Sequence, residues 1–477
     1  MLFNSYDFLF FFVAVLLVHL LPLPWWLRKF NLLAASYLFY MSWNPPFVAL
    51  LWLSTLIDWC AAKGMGRSED PLTRKLLLLL SLCTNLGILG YFKYAETVLE
   101  YFTDAMHAMG IGYQAPAQQW SIVLPLGISF YTFQTLSYTI DVYRRRIEPC
   151  RSLLDFALFV AFFPQLIAGP ILRAGQFLPQ CTEPKRPSGQ QFGWGLSLIV
   201  LGLFLKIVLA DGLFAPSVND VYLPGRPVSI SDAWIGMLGF VGQLYCDFAG
   251  YSTCAVGLAL CLGFVIPANF RFPLAMTSVS DFWSRFHITL SRWLHDYLFL
   301  ALGGYRRRRA RVAFNLILTM VLCGWWHGAT FNFLLFGLLN GLYLVMQFQL
   351  RRSPVGRLAF WETAPGKAVL WAFHFNLLAW TLVLFRATTF EHATVMYQTL
   401  CGLGPATTYS YLTDAQFLFV LVPLQSIVLL HWLFRELTVE QAVSRCPTWL
   451  WMIALSAMLT AILLVPGEPA EYVYFQF

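Results

Sequence analysis

The stretch Cys323-Gly324-Trp325-Trp326-His327-Gly328-Ala329-Thr330 sets a histidine between two tryptophans and a glycine, with largely apolar runs on both sides. A polar ring in such surroundings costs free energy unless it has a partner or a task. Gly324 and Gly328 are four residues apart, which bares one helix edge so that another backbone can approach. Trp325 and Trp326 would wall a narrow pocket. An imidazole kept from bulk water stays neutral and can take a proton, as a general base must. The competing reading is a histidine bonded to a neighbouring helix, which would serve packing only.

His287 is the second candidate. It lies in Ser280–Tyr297, where Ser284, His287, Ser291 and His295 follow i, i+3, i+7, i+11 spacing and would form one polar stripe on a helix. Ser280 is the expected N-cap and Gly303-Gly304 the expected stop. Phe282, Phe286, Trp293 and Tyr297 supply bulk. So mixed a helix belongs at the cytoplasmic interface, or in a slot with its stripe facing a cavity. His295 and Asp296 are sequence neighbours, which do not face each other on a helix. Asp247 stands inside the apolar stretch 243–252, where a carboxylate is either functional or paired with a buried arginine. The run Arg306, Arg307, Arg308 and Arg309 reads in two ways. It is an anchor touching lipid head groups, or a docking surface for an anionic cytosolic ligand such as the phosphates of coenzyme A. His19, His107, His374, His392 and His431 are isolated and receive no role. The sequence has no P-loop, no HExxH and no GxSxG elbow, and its 10 cysteines contain no CxxC pair. Neither a metal site nor a bound cofactor is expected.

The elements that position these residues follow from composition. Of 477 residues, 58% are hydrophobic and only 12% charged, against about 25% charged in soluble domains. The chain reads as an all-α polytopic membrane protein, residues 1–477 forming a single membrane domain, with no nucleic-acid partner and the lipid bilayer around it. Its N-terminus lacks a basic segment, so residues 8–24 read as a retained span. Further spans are expected near 30–43, 46–62, 76–95, 121–140, 192–213, 233–262, 312–330, 333–350, 368–388, 415–434 and 448–466. Residues 153–172 are interrupted by Pro164, Gly169 and Pro170 and read as a re-entrant segment. Basic clusters at Arg28/Lys29, 63–75, 144–146, 185–186, 271–311, 351–357 and Arg435/Arg445 all fall on one side of this scheme. Residues 96–120 carry Glu96, Glu100 and Asp104 with no Lys or Arg. The positive-inside rule makes the basic side cytoplasmic and puts both termini outside. Two classes stay open on these grounds: an enzyme working within the membrane, and a proton-coupled transporter using the histidines and Asp247 as relays. The absence of a detectable internal repeat favours the enzyme.

Six blocks then occur in order: Pro125-Leu126-Gly127-Ile128-Ser129-Phe130-Tyr131, Phe163-Pro164-Gln165-Leu166-Ile167-Ala168-Gly169-Pro170, Asp247-Phe248-Ala249-Gly250-Tyr251-Ser252, Phe282-Trp283-Ser284-Arg285-Phe286-His287-Ile288, Trp326-His327-Gly328, and the terminal Tyr472-Val473-Tyr474-Phe475-Gln476-Phe477. Together they resemble the membrane-bound O-acyltransferase family, in its bacterial branch that modifies cell-surface polysaccharides. The resemblance covers essentially the whole chain. It implies about 11–12 transmembrane helices with re-entrant and interfacial helices around a central tunnel or funnel. It also implies a catalytic role for the histidine at 327, with the one at 287 the second characteristic polar residue. The donor it implies is a cytoplasmic thioester, acetyl-CoA, and the acceptor an extracytoplasmic polysaccharide, reached directly or through periplasmic partner proteins. The location would be the bacterial inner membrane. Where such relatives read Trp-His-Ile-Ser, this chain has Phe286-His287-Ile288-Thr289, and Ala249 and Thr253 also depart, which leaves the glycan open. His327 lies 16 residues beyond Arg311, about 24 Å along a helix, and a phosphopantetheine arm is of that order. Tyr474 would be an acyl relay if the tail folds back, or part of an interfacial aromatic belt.

Overall fold

The computed structural model describes residues 1–113, 122–404, 410–465 and 472–473, and every regular element among them is helical. They form two compact units, residues 1–196 with 255–267, and residues 197–254 with 268–477.

The first unit contains helices α1 (Tyr6–Leu20), α2 (Trp25–Met41), α3 (Val48–Arg67), α4 (Pro71–Ala108), α5 (Ile128–Tyr143) and α6 (Leu153–Ala161). Asp70 caps α4 by accepting from the N–H groups of Leu72 and Thr73, and α4 then runs without a break through residues 96–108, which sequence alone reads as a loop. Helix α5 starts only at Ile128, because Gly127 takes a left-handed turn (φ 73°). A Cβ at Gly127 would also meet the Leu166 carbonyl oxygen at 2.5 Å, so only glycine fits. The segment read as re-entrant is broken at Phe162, and residues 156–172 are buried throughout. Several basic residues counted toward orientation are not at the surface, Arg28 and Lys29 among them. Arg28 donates to the carbonyls of His19 and Lys185, at 2.7 and 2.8 Å. Lys29 pairs with Asp155. Their charge therefore satisfies backbone and carboxylate as well as setting topology.

The helix α7 (Gly189–Leu203) continues as a π-helical stretch, Phe204–Phe214, and a last turn, Ala215–Val221. After it comes α8 (Ile230–Cys261). The remaining elements of the second unit are α9 (Val279–Arg285), α10 (Ile288–Trp293), α11 (Arg309–His327), α12 (Phe331–Leu350), α13 (Ala364–Arg386), α14 (Phe390–Leu400), α15 (Asp414–Leu433) and α16 (Thr448–Leu464). Among the described residues seven helices are long and apolar enough to cross a membrane: α3, α4, α7 with its continuation, α8, α12, α13 and α15. The apolar α1 and α16 are shorter. The fold is that of an all-α, multi-pass membrane protein.

Helices α11 and α12 pack tightly because glycines face backbone. A Cβ on Gly324 would collide with the Phe333 carbonyl oxygen, and one on Gly337 with the Met320 carbonyl oxygen. Small residues of this kind let membrane helices approach where no hydrophobic force drives them together. Gly328 lies against the ring of Phe333. The bare edge read from Gly324 and Gly328 is thus the face on which α12 lies, and it sets the position of His327 at the end of α11.

Candidate active site

His327 is the last residue of α11 and is only 6% exposed. Its ring lies 4.9 Å from Trp326, 5.3 Å from Phe385 and 6.4 Å from Phe336, measured between ring centres. It lines a narrow cavity of about 30 Å³ whose other walls are Val241, Leu244, Tyr245 and Phe248 of α8, Leu274, Phe282, Trp283, Phe286, Phe336, and Leu378, Leu382 and Phe385 of α13. The expected pair of tryptophan walls is not what encloses it. Trp326 is buried, but it stands behind the cavity, in ring contact with both His327 and His287, the latter at 6.0 Å. Trp325 is 39% exposed, on the outer side of α11. Successive residues on a helix point about 100° apart, so neighbours cannot both face one pocket.

His287 is fully buried, but the single helix with a polar stripe does not form. α9 ends at Arg285, and His287 takes a left-handed backbone conformation (φ 47°, ψ 51°) before α10 begins. The reason is Asn269. Its backbone oxygen accepts from the Ile288 N–H at 2.9 Å. Its side-chain oxygen accepts from the Thr289 N–H at 3.2 Å and the Thr289 hydroxyl at 2.6 Å. Those amides are thereby taken from a continuous helix. A non-glycine residue held in this region is strained by about 1–3 kcal/mol and persists only where its surroundings over-determine it. Asp281 supplies more of that constraint: it accepts from Arg285 Nε at 2.6 Å and from Arg435 at 2.9 Å. Ser284 is exposed. The Ser291 hydroxyl is 3.5 Å from the Phe286 carbonyl and does not line the cavity. The His287 ring stands edge-on to Phe248 at 4.7 Å. Burial pushes its pKa down to about 3, so it is neutral at neutral pH. His295 and Asp296 do meet, at 2.8 Å, within a π-helical stretch. That pair is largely exposed and apart from the cavity.

Asp247 is buried, and its partner is a lysine where the sequence reading expects an arginine. Lys206 Nζ lies 2.6 Å from one carboxylate oxygen. The other oxygen accepts from the Val473 N–H at 3.0 Å. Lys206 sits in the π-helical stretch, whose wider turn brings Asp211, five residues on, to 3.0 Å. The ammonium also lies 4.5 Å from the ring centre of Tyr472, which is edge-on to Tyr251 at 4.4 Å. Asp247 therefore holds a segment distant in sequence and does not line the cavity. Tyr474 lies outside the described residues.

The four arginines stand apart from the cavity, and none of them lines it. Arg306 ends a short turn begun at Gly304, and Arg307 follows in extended conformation. Arg308 is the residue before α11, and Arg309 is its first. Arg306, Arg307, Arg308 and Arg309 are all exposed. They form an exposed basic patch at the start of α11. Among the described residues no group of His, Cys, Asp and Glu is arranged to hold a metal ion.

Four residues escape the sequence reading: Lys206, Asn269, Tyr245 and His431. Lys206 carries a signal, as a lone cation inside the apolar run 196–210. Asn269 and His431 do not, since their roles depend on partners some 20 and 160–190 residues away.

Comparison with known proteins gives this geometry its setting. The family model described as the membrane-bound O-acyltransferase family, MBOAT, matches residues 99–388. The chain is 38% identical over 409 residues, 85% of its length and 81% of the other's, to the "Probable alginate O-acetylase AlgI" of Pseudomonas putida. It is 36% identical over 405 residues to the protein of the same name from Pseudomonas aeruginosa, covering 85% and 75%. To the "Peptidoglycan O-acetyltransferase" of Helicobacter pylori it is 33% identical over 402 residues, covering 79% and 74%. With a buried histidine at the wall of an apolar cavity in a multi-pass helical chain, and relatives of this kind, the protein belongs to the membrane-bound O-acyltransferase family and is an acyltransferase.

Proposed function

We propose that the protein moves an acetyl group from acetyl-CoA on the cytoplasmic side to a hydroxyl of an extracytoplasmic polysaccharide, directly or through a periplasmic partner protein that carries the acyl group onward. It would do so in the bacterial inner membrane, with both termini outside. The observation that carries this reading is His327 at the wall of a small, otherwise apolar cavity. A thioester carbonyl is already reactive. It needs a base for the incoming hydroxyl and exclusion of the water that would hydrolyse it. In this scheme His327 takes the hydroxyl proton as the oxygen attacks the carbonyl carbon. The C–S bond then breaks, and the proton passes to the departing thiolate. His287, neutral and tied to His327 through Trp326, would orient the acceptor. Asp247 and Lys206 would hold Tyr472 and Val473, and Tyr474 is a relay candidate. Arg306, Arg307, Arg308 and Arg309 would hold the phosphates of coenzyme A. The names of the relatives, which concern alginate and peptidoglycan, support a glycan acceptor.

The test is transfer from radiolabelled acetyl-CoA by the protein in lipid nanodiscs, wild type beside His327→Ala. Loss of a positioned general base lowers the rate by about 10²–10⁴-fold. Equal labelling by both proteins would remove His327 from the chemistry, and Tyr474→Phe at full activity would remove the relay.

A further inference from the structure

One wall of the cavity is formed by a tyrosine whose hydroxyl is oriented by a residue outside the lining. His431, on α15, is 3% exposed. Its Nδ1 lies 3.1 Å from the backbone nitrogen of Leu274. A backbone N–H can only donate, so Nδ1 must offer its lone pair, and the ring's one proton sits on Nε2. Nε2 lies 3.0 Å from the hydroxyl oxygen of Tyr245. That N–H therefore donates and the phenol oxygen accepts. The phenol's own proton is left over. Among the described residues Tyr245 makes no second hydrogen bond. Its ring is held edge-on to His431 at 4.8 Å and to Phe270 at 5.9 Å, so it has little freedom to turn. Tyr245 is partly exposed within a run of buried residues, 241–250, and lines the same cavity as His327.

A hydrogen-bond donor with no acceptor among the described residues, on a tyrosine that lines the same cavity as a base, is a group that an acyl transfer can use. As the hydroxyl attacks, negative charge develops on the carbonyl oxygen. A donor fixed in advance in surroundings free of water stabilises that charge without reorganising. We propose that Tyr245 is a catalytic residue whose O–H donates to the carbonyl oxygen of the bound thioester, and that His431 is the positioning residue that keeps the phenol oxygen an acceptor toward itself and its proton available to substrate. Tyr245 keeps its proton throughout. The transferred proton still moves from the attacking hydroxyl to His327 and on to the leaving sulfur. This inference rests on the acyl-transfer reading of the His327 cavity.

The experiment compares the full chain in nanodiscs as wild type, His327→Ala, Tyr245→Phe and His431→Leu, with acetyl-CoA as donor and alginate oligosaccharides as acceptor probe. Tyr245→Phe keeps the ring and its packing. It is expected to lower kcat by about 10²–10³-fold, as for the loss of one oxyanion donor, with KM for acetyl-CoA little changed. His431→Leu should lower kcat less, and His431→Gln, which offers both an acceptor and an N–H, should restore it. Replacing Tyr245 by fluorinated tyrosines makes the phenol a stronger donor, so kcat should vary with phenol acidity, a response that a packing role would not produce. Wild-type kcat in Tyr245→Phe, with His327→Ala inactive, overturns the inference and leaves the acyl-transfer reading standing. Equal turnover by wild type and His327→Ala, or none by either, overturns both.

Discussion

Among the fully buried aspartates, Asp58 in one unit and Asp247 in the other are solvated in opposite ways. Asp58 of α3 is met by neutral groups. The Ser81 hydroxyl lies 2.5 Å from one oxygen, and the Asn85 amide reaches both, at 3.0 and 2.9 Å. Ser54 donates to the Asn85 oxygen at 2.6 Å, and Ser81 reaches Thr139 of α5 at 3.1 Å. Among the described residues no Lys, Arg or His pairs with Asp58. Asp247 of α8 is met by a full positive charge and by the amide of Val473. The first arrangement knits α3, α4 and α5 through groups that also have one another. The second balances one buried charge against another and uses the remaining oxygen to grip a distant segment. Its sequence neighbour Phe248 touches the ring of His287. Asp58 is thus a packing node in one unit and Asp247 a support for the candidate site in the other.

The comparison breaks most easily at Lys206. Lys206→Met leaves Asp247 and Asp211 without their cation. Removing one partner of a buried pair costs about 3–5 kcal/mol, whereas exchanging both for apolar groups is often neutral. The expected outcome is a large drop in the thermal unfolding midpoint for Lys206→Met, partial recovery in Lys206→Met/Asp247→Leu, and recovery of most of it when Asp211→Asn is added. Acetyl transfer should stay low in the double variant, because the Val473 N–H has lost its acceptor. Wild-type stability in Lys206→Met would show that the pair does not carry the charge balance assigned to it.

Asp58→Leu should do less. The Ser81 hydroxyl has Thr139 to turn to, and the Asn85 amide already reaches the Ser81 carbonyl at 2.9 Å. The cost is that of a partly re-paired buried polar group, about 1–3 kcal/mol, and activity per folded molecule should be unchanged. A fall in kcat at constant folded fraction would mean that the first unit serves the chemistry directly. Gly324→Ala sharpens the same contrast from the other unit. Its methyl would strike the Phe333 oxygen and force α11 from α12, at a similar cost of about 1–3 kcal/mol. It should lower kcat as well, since His327 follows three residues later on the same helix.

The sequence already displays much of this, and the boundary of what it displays is physical. Multi-pass helical character, the close glycine face beside His327 and the interruption near Pro164 follow from local composition. Asp247 is legible as costly, because a carboxylate in an apolar run is. Its partner is not, because Lys206 lies 41 residues away on another helix. The helix expected over Ser280–Tyr297 fails at His287 for the same reason. Its local propensities are helical, and the break is imposed by Asn269 from outside the segment. Trp325 and Trp326 show the converse error, since adjacency in sequence on a helix separates two side chains in space.

The smallest effect on stability belongs to a group far from both carboxylates in character. Arg306, Arg307, Arg308 and Arg309 are exposed. Changing all four to Gln should leave the unfolding midpoint close to wild type, surface changes being usually within about 0.5 kcal/mol. Their proposed task is to hold the coenzyme A phosphates at the entry to α11, and exposed charge pairs contribute only about 0.2–1 kcal/mol each. Two or three such contacts sum to about 1.4 kcal/mol, a tenfold rise in KM for acetyl-CoA, with kcat preserved once the donor is saturating. The wild-type KM should rise with added salt and that of the variant should not, because only charged contacts are screened. If the variant keeps both the wild-type KM and its salt response, the arginines serve the lipid surface and the donor enters by another route.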